Sequence, residues 1–234
     1  MSYIASSDMA ATTRSIIGGA SFRSFRCLWM LEELGIPYNH IPALPGSDEV
    51  FRYNPLGKIP VLIEEDGFSM YESSAINTFL GDRHRDINHS LIPLPGTNLR
   101  GRYEQTVSVL TSEMDSQALW IHRKHGDLGH IFGAVPDAVE HARKYFNKTN
   151  RSLMKQLKEE GPYLLGKHFT AADILYVHCL EWSSMIGWAE KWKADESTVR
   201  YLALCRSRPA YARVAEVRRR ESKKLSGQAP TSKL

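Results

Sequence analysis

Cysteine is scarce in this 234-residue chain, and its three cysteines, Cys27, Cys179 and Cys205, lie far apart. They form neither a Cys-x-x-Cys pair nor the ligand spacing of a zinc site. The sequence therefore predicts neither a dithiol redox motif nor a structural metal. We expect three reduced thiols that are mostly buried.

Long apolar runs are also missing. No stretch of about 18 uninterrupted apolar residues occurs, so no membrane-spanning helix is predicted. Residues 1–12 contain no lysine or arginine, unlike a secretory signal. We expect flexible tails at 1–12 and 226–234 and a cytoplasmic protein with no membrane partner.

Positive charge is rare in the first third of the chain. Residues 1–83 carry 6 basic and 10 acidic residues, whereas residues 84–234 carry 24 and 16. This difference supports two units with different surfaces. The basic cluster at Arg218–Arg220 and Lys223–Lys224 has no aromatic residues between its charges, so a solvated helix end is favoured over a nucleic-acid-binding patch.

The apolar pattern predicts two domains of different class. Strand and helix signals alternate over residues 13–85 in the order βαβαββα, which is typical of a thioredoxin-like domain. Residues 86–97 are rich in asparagine, proline and glycine and predict a linker. Only helical periodicity recurs over 98–225, which predicts an all-α domain. Within it, Thr170 and Asp173 form a capping-box signature, which we assign a structural role and no catalytic one.

Two neighbouring motifs carry most of the functional information. Pro60 precedes the apolar run Val61–Ile63 and can lead into a strand without donating a ladder hydrogen bond. If the Ile59–Pro60 bond is cis, the main-chain N–H and C=O of Ile59 turn outward and can pair with an extended peptide. Glu72 and Ser73 precede a helical pattern, where free N–H groups and a hydroxyl can hold a carboxylate and Glu72 an ammonium. Together they indicate a receptor for a small zwitterionic peptide; separately, each could be a plain strand start or helix cap.

At these residues the chain resembles the glutathione transferases over nearly its whole length. The resemblance implies that Ile59, beside Pro60, pairs with the cysteinyl backbone of glutathione, and that Glu72 and Ser73 hold its γ-glutamyl end. Lys58 either pairs with the glycine carboxylate of glutathione or is a solvated loop lysine. Glutathione would be a co-substrate, and neither a cofactor nor a metal is expected.

The implied reaction requires the glutathione thiol to be ionised near neutral pH. A hydroxyl that donates to sulfur near a helix N-terminus favours the thiolate. The loop between the first strand and first helix offers Ser21 and Ser24. Several plant classes of the family carry a Ser-x-x-x-x-Arg pattern that Ser21 and Arg26 reproduce, so we favour Ser21. Ser24 as donor or N-cap, and neither serine as donor, stay open.

Other residues near this loop fit less well. Some classes place the donor four residues before the arginine, where this chain has Phe22. Cys27 follows Arg26 inside the helix, which weakens a thiol-transferase assignment. Tyr3 precedes the first strand by too many residues to match the tyrosine of other classes. Arg26 is expected to be structural, bridging the first helix to the domain interface or a partner subunit.

An electrophile is expected to bind between the domains, against the first long helix of the second domain. We select Met114, Gln117 and Trp120 as its pocket. The predicted activity is conjugation of glutathione to a small hydrophobic electrophile, as in detoxification. The alternatives are a glutathione-dependent peroxidase acting on organic hydroperoxides and a non-catalytic binding or interaction module. The resemblance also implies a homodimer, for which residues 102–104 offer a polar-aromatic helix face.

Overall fold

The structure, a computed structural model, describes residues 13–87 and 91–227, with the backbone alone for 225–227. Several predicted segments lie outside these residues: the tail at 1–12 with Tyr3, residues 88–90 of the linker, and residues 228–234. Residues 226 and 227 belong to the last helix rather than to a tail.

The first domain is a four-stranded mixed sheet with three helices, and the predicted βαβαββα order is confirmed. Its elements are β1 (Ser15–Ile17), α1 (Ser24–Leu34), β2 (Asn39–Ile41), α2 (Asp48–Phe51), β3 (Val61–Ile63), β4 (Ser69–Tyr71) and α3 (Ser73–Arg83). The strand order is β2-β1-β3-β4, with β1 parallel to β2 and antiparallel to β3. Ile17 pairs with both Ile41 and Val61, which places the ends of three strands together.

Helices follow, as predicted for the second domain. They are α4 (Asn98–Val109), α5 (Trp120–His122), α6 (Gly129–Phe132), α7 (Pro136–Glu160), α8 (Ala171–Met185), α9 (Glu190–Lys193), α10 (Glu196–Arg206) and α11 (Pro209–Gly227). Two π-helical segments, Leu110–Leu119 and Arg123–Asp127, join α4 to α5 and extend beyond it. The first long helix predicted for the second domain is therefore continuous, but its turns widen after Val109.

Helix α1 joins the two domains because it packs against α3, α8 and α11. Trp29 stacks edge-on against Tyr211 of α11, with ring centroids 4.9 Å apart. The predicted capping box is present at the start of the largely buried helix α8, where Thr170 and Asp173 cap each other's backbone. The three cysteines are free and buried, as expected.

The helix face proposed for a dimer contact differs from its prediction. Tyr103 is buried, and its hydroxyl lies 2.8 Å from Thr78 Oγ1 of α3. Arg102 pairs with Glu160 at the end of α7. Tyr103 therefore closes the contact between α3 and α4 and offers no aromatic surface to a partner.

The described residues contain no helix that is both long enough and apolar enough to cross a membrane.

Candidate functional site

The loop before β3 is closed by the buried side chain of Asn54. Its amide donates to the Lys58 carbonyl (2.7 Å), and its oxygen accepts from the Leu56 N–H (3.0 Å). The Ile59–Pro60 bond that follows is cis. The loop and turn hydrogen bonds of the described residues include neither the N–H nor the C=O of Ile59. The cis bond agrees with the sequence analysis, and the pairing of these two groups with an extended peptide stays a prediction.

The start of α3 combines an unusual backbone with free donors. Glu72, its N-cap, has φ 75° and is the one non-glycine residue of positive φ in the described part of the chain. Its side chain makes no cap hydrogen bond, which leaves the first N–H groups of α3 without that partner. Ser73 is buried, and its hydroxyl accepts from Arg26 Nη1 at 3.2 Å. Because the oxygen accepts, its own proton can go to a ligand.

Arg26 connects this helix start to the second domain, in the structural role predicted for it. The residue is 1% exposed, and its guanidinium lies 2.6 Å from Asp115 and 3.1 Å from His178 Nδ1. Arg23 also pairs with Asp115, at 3.0 Å from Nε. Burial opposes the charge of Asp115, but Arg26 and then Arg23 outweigh it and hold the pKa of this carboxyl well below its usual range. Two guanidinium groups and one carboxylate leave a net positive charge beside Ser73.

Ser21 is exposed beside a cavity of about 790 Å³ between α8 and α11. Its hydroxyl oxygen lies 3.4 Å from Ser222 Oγ on α11. The neighbouring Ala20 N–H donates to Glu221 Oε2 at 2.7 Å. The last helix therefore lies directly on the loop that carries the favoured serine.

Ser24 has the opposite environment. It is fully buried, and its hydroxyl has no hydrogen-bond partner within the described residues. A Cβ added at Gly18 would lie 2.2 Å from this hydroxyl and 2.8 Å from Ile59 Cβ, so the hydroxyl sits close to the cis-proline loop. The N-cap of α1 is Arg23. The N-cap role considered for Ser24 is therefore wrong, and its hydroxyl needs another partner.

The three residues chosen for the acceptor pocket do not share a surface. Met114 is fully buried in the core, Gln117 is exposed and Trp120 is half-buried. Two cations lie over the Trp120 ring. The guanidinium carbon of Arg23 is 5.4 Å from the ring centroid, and the ammonium nitrogen of Lys58 is 5.8 Å from it. Trp120 and Lys58 thus come from different domains and meet between them, whereas Met114 faces inward.

The π-helical segment explains this difference. Positions 114, 117 and 120 follow one another at the spacing of an α-helical face. Between Leu110 and Leu119 the hydrogen bonds run from i to i+5, so that spacing no longer aligns the side chains. The Trp120 N–H bonds to the Asp115 carbonyl, and both side chains contact Arg23. Residues five apart, rather than three apart, share the face that meets α1.

Sequence reasoning missed Asp115, Arg23, His178 and Glu221. A signal existed for Asp115, an acid between Met114 and Ala118 on an otherwise apolar stripe. Glu221 gave no comparable signal, because 201 positions separate it from the Ala20 N–H that it accepts from.

Comparisons with known proteins agree with this geometry. The profile of the glutathione S-transferase N-terminal domain matches residues 20–83. "Glutathione S-transferase PM239X14" of Arabidopsis thaliana is 32% identical over 128 residues, which span 53% of this chain and 57% of that protein. "Glutathione S-transferase hmp2" of Hypomyces subiculosus is 29% identical over 171 residues, 68% of this chain and 77% of that protein.

Solved structures extend the match to the whole fold. A glutathione S-transferase of Actinobacillus pleuropneumoniae is 25% identical, with a TM-score of 0.69 over 87% of this chain and 91% of that one. A Phanerochaete chrysosporium glutathione transferase in complex with oxidized glutathione has 23% identity and a TM-score of 0.75, covering 91% and 99% of the two chains. A thioredoxin-like domain followed by a helical region is thus the fold class of this protein. The chain is thus similar to glutathione S-transferases, by sequence in its first domain and by fold over most of its length.

Proposed function

We propose that this protein is a cytosolic glutathione transferase that joins the glutathione thiolate to a small hydrophobic electrophile. One observation carries the proposal. In the β3–β4 register Val61 pairs with Tyr71, so the cis Ile59–Pro60 bond and the start of α3 at Glu72 lie side by side at one end of the sheet. An open main chain and free helix N–H groups at this spacing suit a short peptide with a charged end.

In this proposal four residues bind glutathione. The main chain of Ile59 pairs with the cysteinyl unit, while Glu72 and Ser73 hold the ammonium and carboxylate of the γ-glutamyl end. Lys58 is exposed on the same loop, and its ammonium pairs with the glycine carboxylate.

Ser21 is the proposed donor to the thiolate sulfur, and Ser24 is the second candidate. Ser21 is accessible and belongs to the loop that enters α1. Ser24 is supported by one observation, a buried hydroxyl without a partner close to Ile59. Burial raises the pKa of the Cys27 thiol, which argues against that residue as a nucleophile.

Calorimetric titration with glutathione tests the binding site. The double variant Glu72→Ala/Ser73→Ala loses two charge-assisted contacts, each worth about 1.5–3 kcal/mol, and should bind far more weakly. Ser69→Ala on β4 is the matched control and should bind like the unmodified protein. An unchanged affinity in the double variant would remove the site assignment.

Two alternatives use the same fold. A peroxidase would use the same thiolate on organic hydroperoxides, and a non-catalytic module would bind without turnover. Retention on glutathione-agarose, followed by assays with an aryl halide and with cumene hydroperoxide, separates all three. Retention without turnover of either substrate would favour the module.

We also propose a homodimer, because pairing is common in the family. Exposed apolar side chains on the first domain, including Phe51 and Leu56, support a contact there. Light scattering at micromolar concentration should give about twice the 26.5 kDa of one chain. A mass near one chain would show that the proposal is wrong.

A further inference from the structure

The cavity beside Ser21 is a different place from the contact of Arg23 and Lys58 with the Trp120 ring. It lies between α8 and α11 and holds about 790 Å³. Met185 and Ala215 contribute apolar surface, and Met185 is 70% exposed. An organic molecule with an apolar part could therefore lie here, within reach of the Ser21 hydroxyl.

The walls of this cavity are strongly basic. Its described lining carries four cations, Arg206, Arg218, Arg219 and Lys223, and a single carboxylate, Glu181. Burial lowers the pKa of the one lining histidine, His178, well below its usual value, and Arg26 lowers it further, so this ring is neutral. Positive charge focused in a concave site raises the local concentration of anions.

Two of the four cations form ion pairs with a carboxylate of the cavity lining itself. The nearly buried Glu181 accepts from Arg206 (2.9 Å) and from Arg218 (2.8 Å). Arg219 instead pairs with Glu216, which is also held by Arg220 at 2.7 Å. Glu216 therefore keeps a partner when Arg219 turns toward a ligand. Arg219 and Lys223 are exposed, as is Arg206, and they lie one helical turn apart on α11, on the side of the cavity opposite Glu181 of α8.

Helix α11 is fixed against the first loop at the same place. The Glu221 carboxylate accepts from the Ala20 N–H at 2.7 Å and lies 3.4 Å from His40 Nδ1. It points to the first domain and is not part of the cavity lining. Ser222, the next residue, contacts Ser21. The exposed cations of α11 are thereby held on the wall that faces the proposed thiolate donor.

We infer that the electrophile of the proposed reaction carries an anionic group, such as a carboxylate, which Arg219 and Lys223 bind while the electrophilic carbon lies at the Ser21 end. This inference rests on the proposed function. With an aryl chloride, the glutathione sulfur forms a bond to the ring carbon and chloride leaves with the bonding pair. The thiol proton has already passed to solvent, and no oxidant or reductant is needed.

A pair of acceptors that differ only in charge tests the inference. The probes are 4-chloro-3,5-dinitrobenzoate and its methyl ester, assayed with glutathione. In Arg219→Gln/Lys223→Gln, kcat/KM for the carboxylate should fall about tenfold, as expected when a charged hydrogen-bonding partner is lost, and that for the ester should stay within about twofold. Added salt should reduce the carboxylate rate more than the ester rate, because glutathione binding is common to both assays.

The control variant is Lys224→Gln, which removes one charge from α11 outside the cavity lining and should alter neither rate. Equal losses for both acceptors would overturn the inference, as would unchanged rates. A weaker affinity of the double variant for glutathione would assign the cations to the peptide instead, and would also overturn it.

A binding measurement separates this inference from the proposed function. Quenching of tryptophan fluorescence reports binding of the benzoate without turnover, and the double variant should bind it about tenfold more weakly than the unmodified protein. If glutathione binds and the ester reacts while the variants leave benzoate binding unchanged, only the inference fails. If glutathione neither binds nor reacts, the proposed function fails.

Discussion

The two halves of the candidate site are built by different means. The half proposed for glutathione, from Asn54 to Ser73 and called the glutathione half below, has its loop closed by contacts between residues close in sequence, such as the Asn54 amide on the Lys58 carbonyl. The cavity between α8 and α11 depends on contacts between distant residues, such as Glu221 with Ala20 and Arg208 with Glu33. In the proposed function the first half offers the main chain of Ile59 and three side chains to glutathione, which does not vary, and the second half offers side chains to an acceptor that can vary. A change in the second should therefore alter which acceptor is used without altering glutathione binding.

The largest effect is expected where the two halves are joined, at Asp115. Asp115→Asn leaves the buried Arg26 without its carboxylate, and the free energy of unfolding should fall by about 3–5 kcal/mol. Chemical denaturation measures it, with the exposed neighbour Gln117→Ala as control. Because folding lowers the pKa of Asp115, this stabilisation is complete above the ordinary aspartate pKa of about 3.9 and disappears as pH falls through the folded value. A loss equal to that of the control would show that the two halves are not joined here.

The next effect concerns the serine that serves both halves. Ser21→Ala should raise the pKa of the bound glutathione thiol and lower turnover about 10²–10³-fold, which is on the order of 3–4 kcal/mol, with glutathione affinity nearly unchanged. Thiolate absorbance of the binary complex against pH gives the pKa directly. Ser24→Ala is the matched variant, and because it removes a buried hydroxyl without a partner, it should leave stability unchanged or raised. If only the Ser24 variant shifts the thiol pKa, the assignment moves to Ser24.

A smaller effect is expected at Glu72, within the glutathione half. Glu72→Gly removes both the carboxylate and the cost of a positive φ, which is of the order of 1–3 kcal/mol. The variant should be more stable in thermal denaturation yet bind glutathione more weakly. Glu72→Gln keeps the backbone cost and removes the charge, so it should lose affinity without gaining stability. Equal stabilities of the two variants would contradict this account.

The smallest effect is expected at Glu221, in the other half. Glu221→Ala removes an acceptor from the Ala20 N–H, a contact worth about 1 kcal/mol. Hydrogen exchange at the Ala20 amide should become faster, while exchange at amides of β3 stays unchanged. Exchange that stays slow at Ala20 would mean that α11 is not held to the loop by this carboxylate.

Much of the first domain could be predicted because its signals are local. A helix begins beside Glu72 as predicted, at Ser73–Arg83, and Gly35, with φ 64°, ends α1 where glycine is favoured. The capping box at Thr170 is another local pattern, and it too was predicted. A structural role for Arg26 at the domain interface was also expected, although its partners Asp115 and His178 were not.

The acceptor half could not be predicted in the same way. The choice of Met114 and Trp120 as one pocket assumes α-helical turns. No pattern in the sequence of this helix indicates its π-helical turns. The predicted exposure of Tyr103 was wrong for a related reason, because the sequence does not show whether a tyrosine on a helix faces a neighbouring helix or solvent. In both cases the deciding contacts come from α1 and α3, which are far away in sequence.

The π-helical turns before Trp120 also determine how this helix would tolerate a change in length. A wide turn accommodates additional residues without moving the helix on either side of it. Deleting one residue between Asp115 and Trp120 would place them four apart, a spacing that i to i+4 bonding keeps on one face. If the stretch instead kept its length and took α-helical turns, every later residue would rotate by about 100° around the axis. The indole would then leave the guanidinium of Arg23, although no side chain of the site had been replaced. The length of this short stretch is therefore as much a determinant of the contact between Arg23 and Trp120 as the residues that make it.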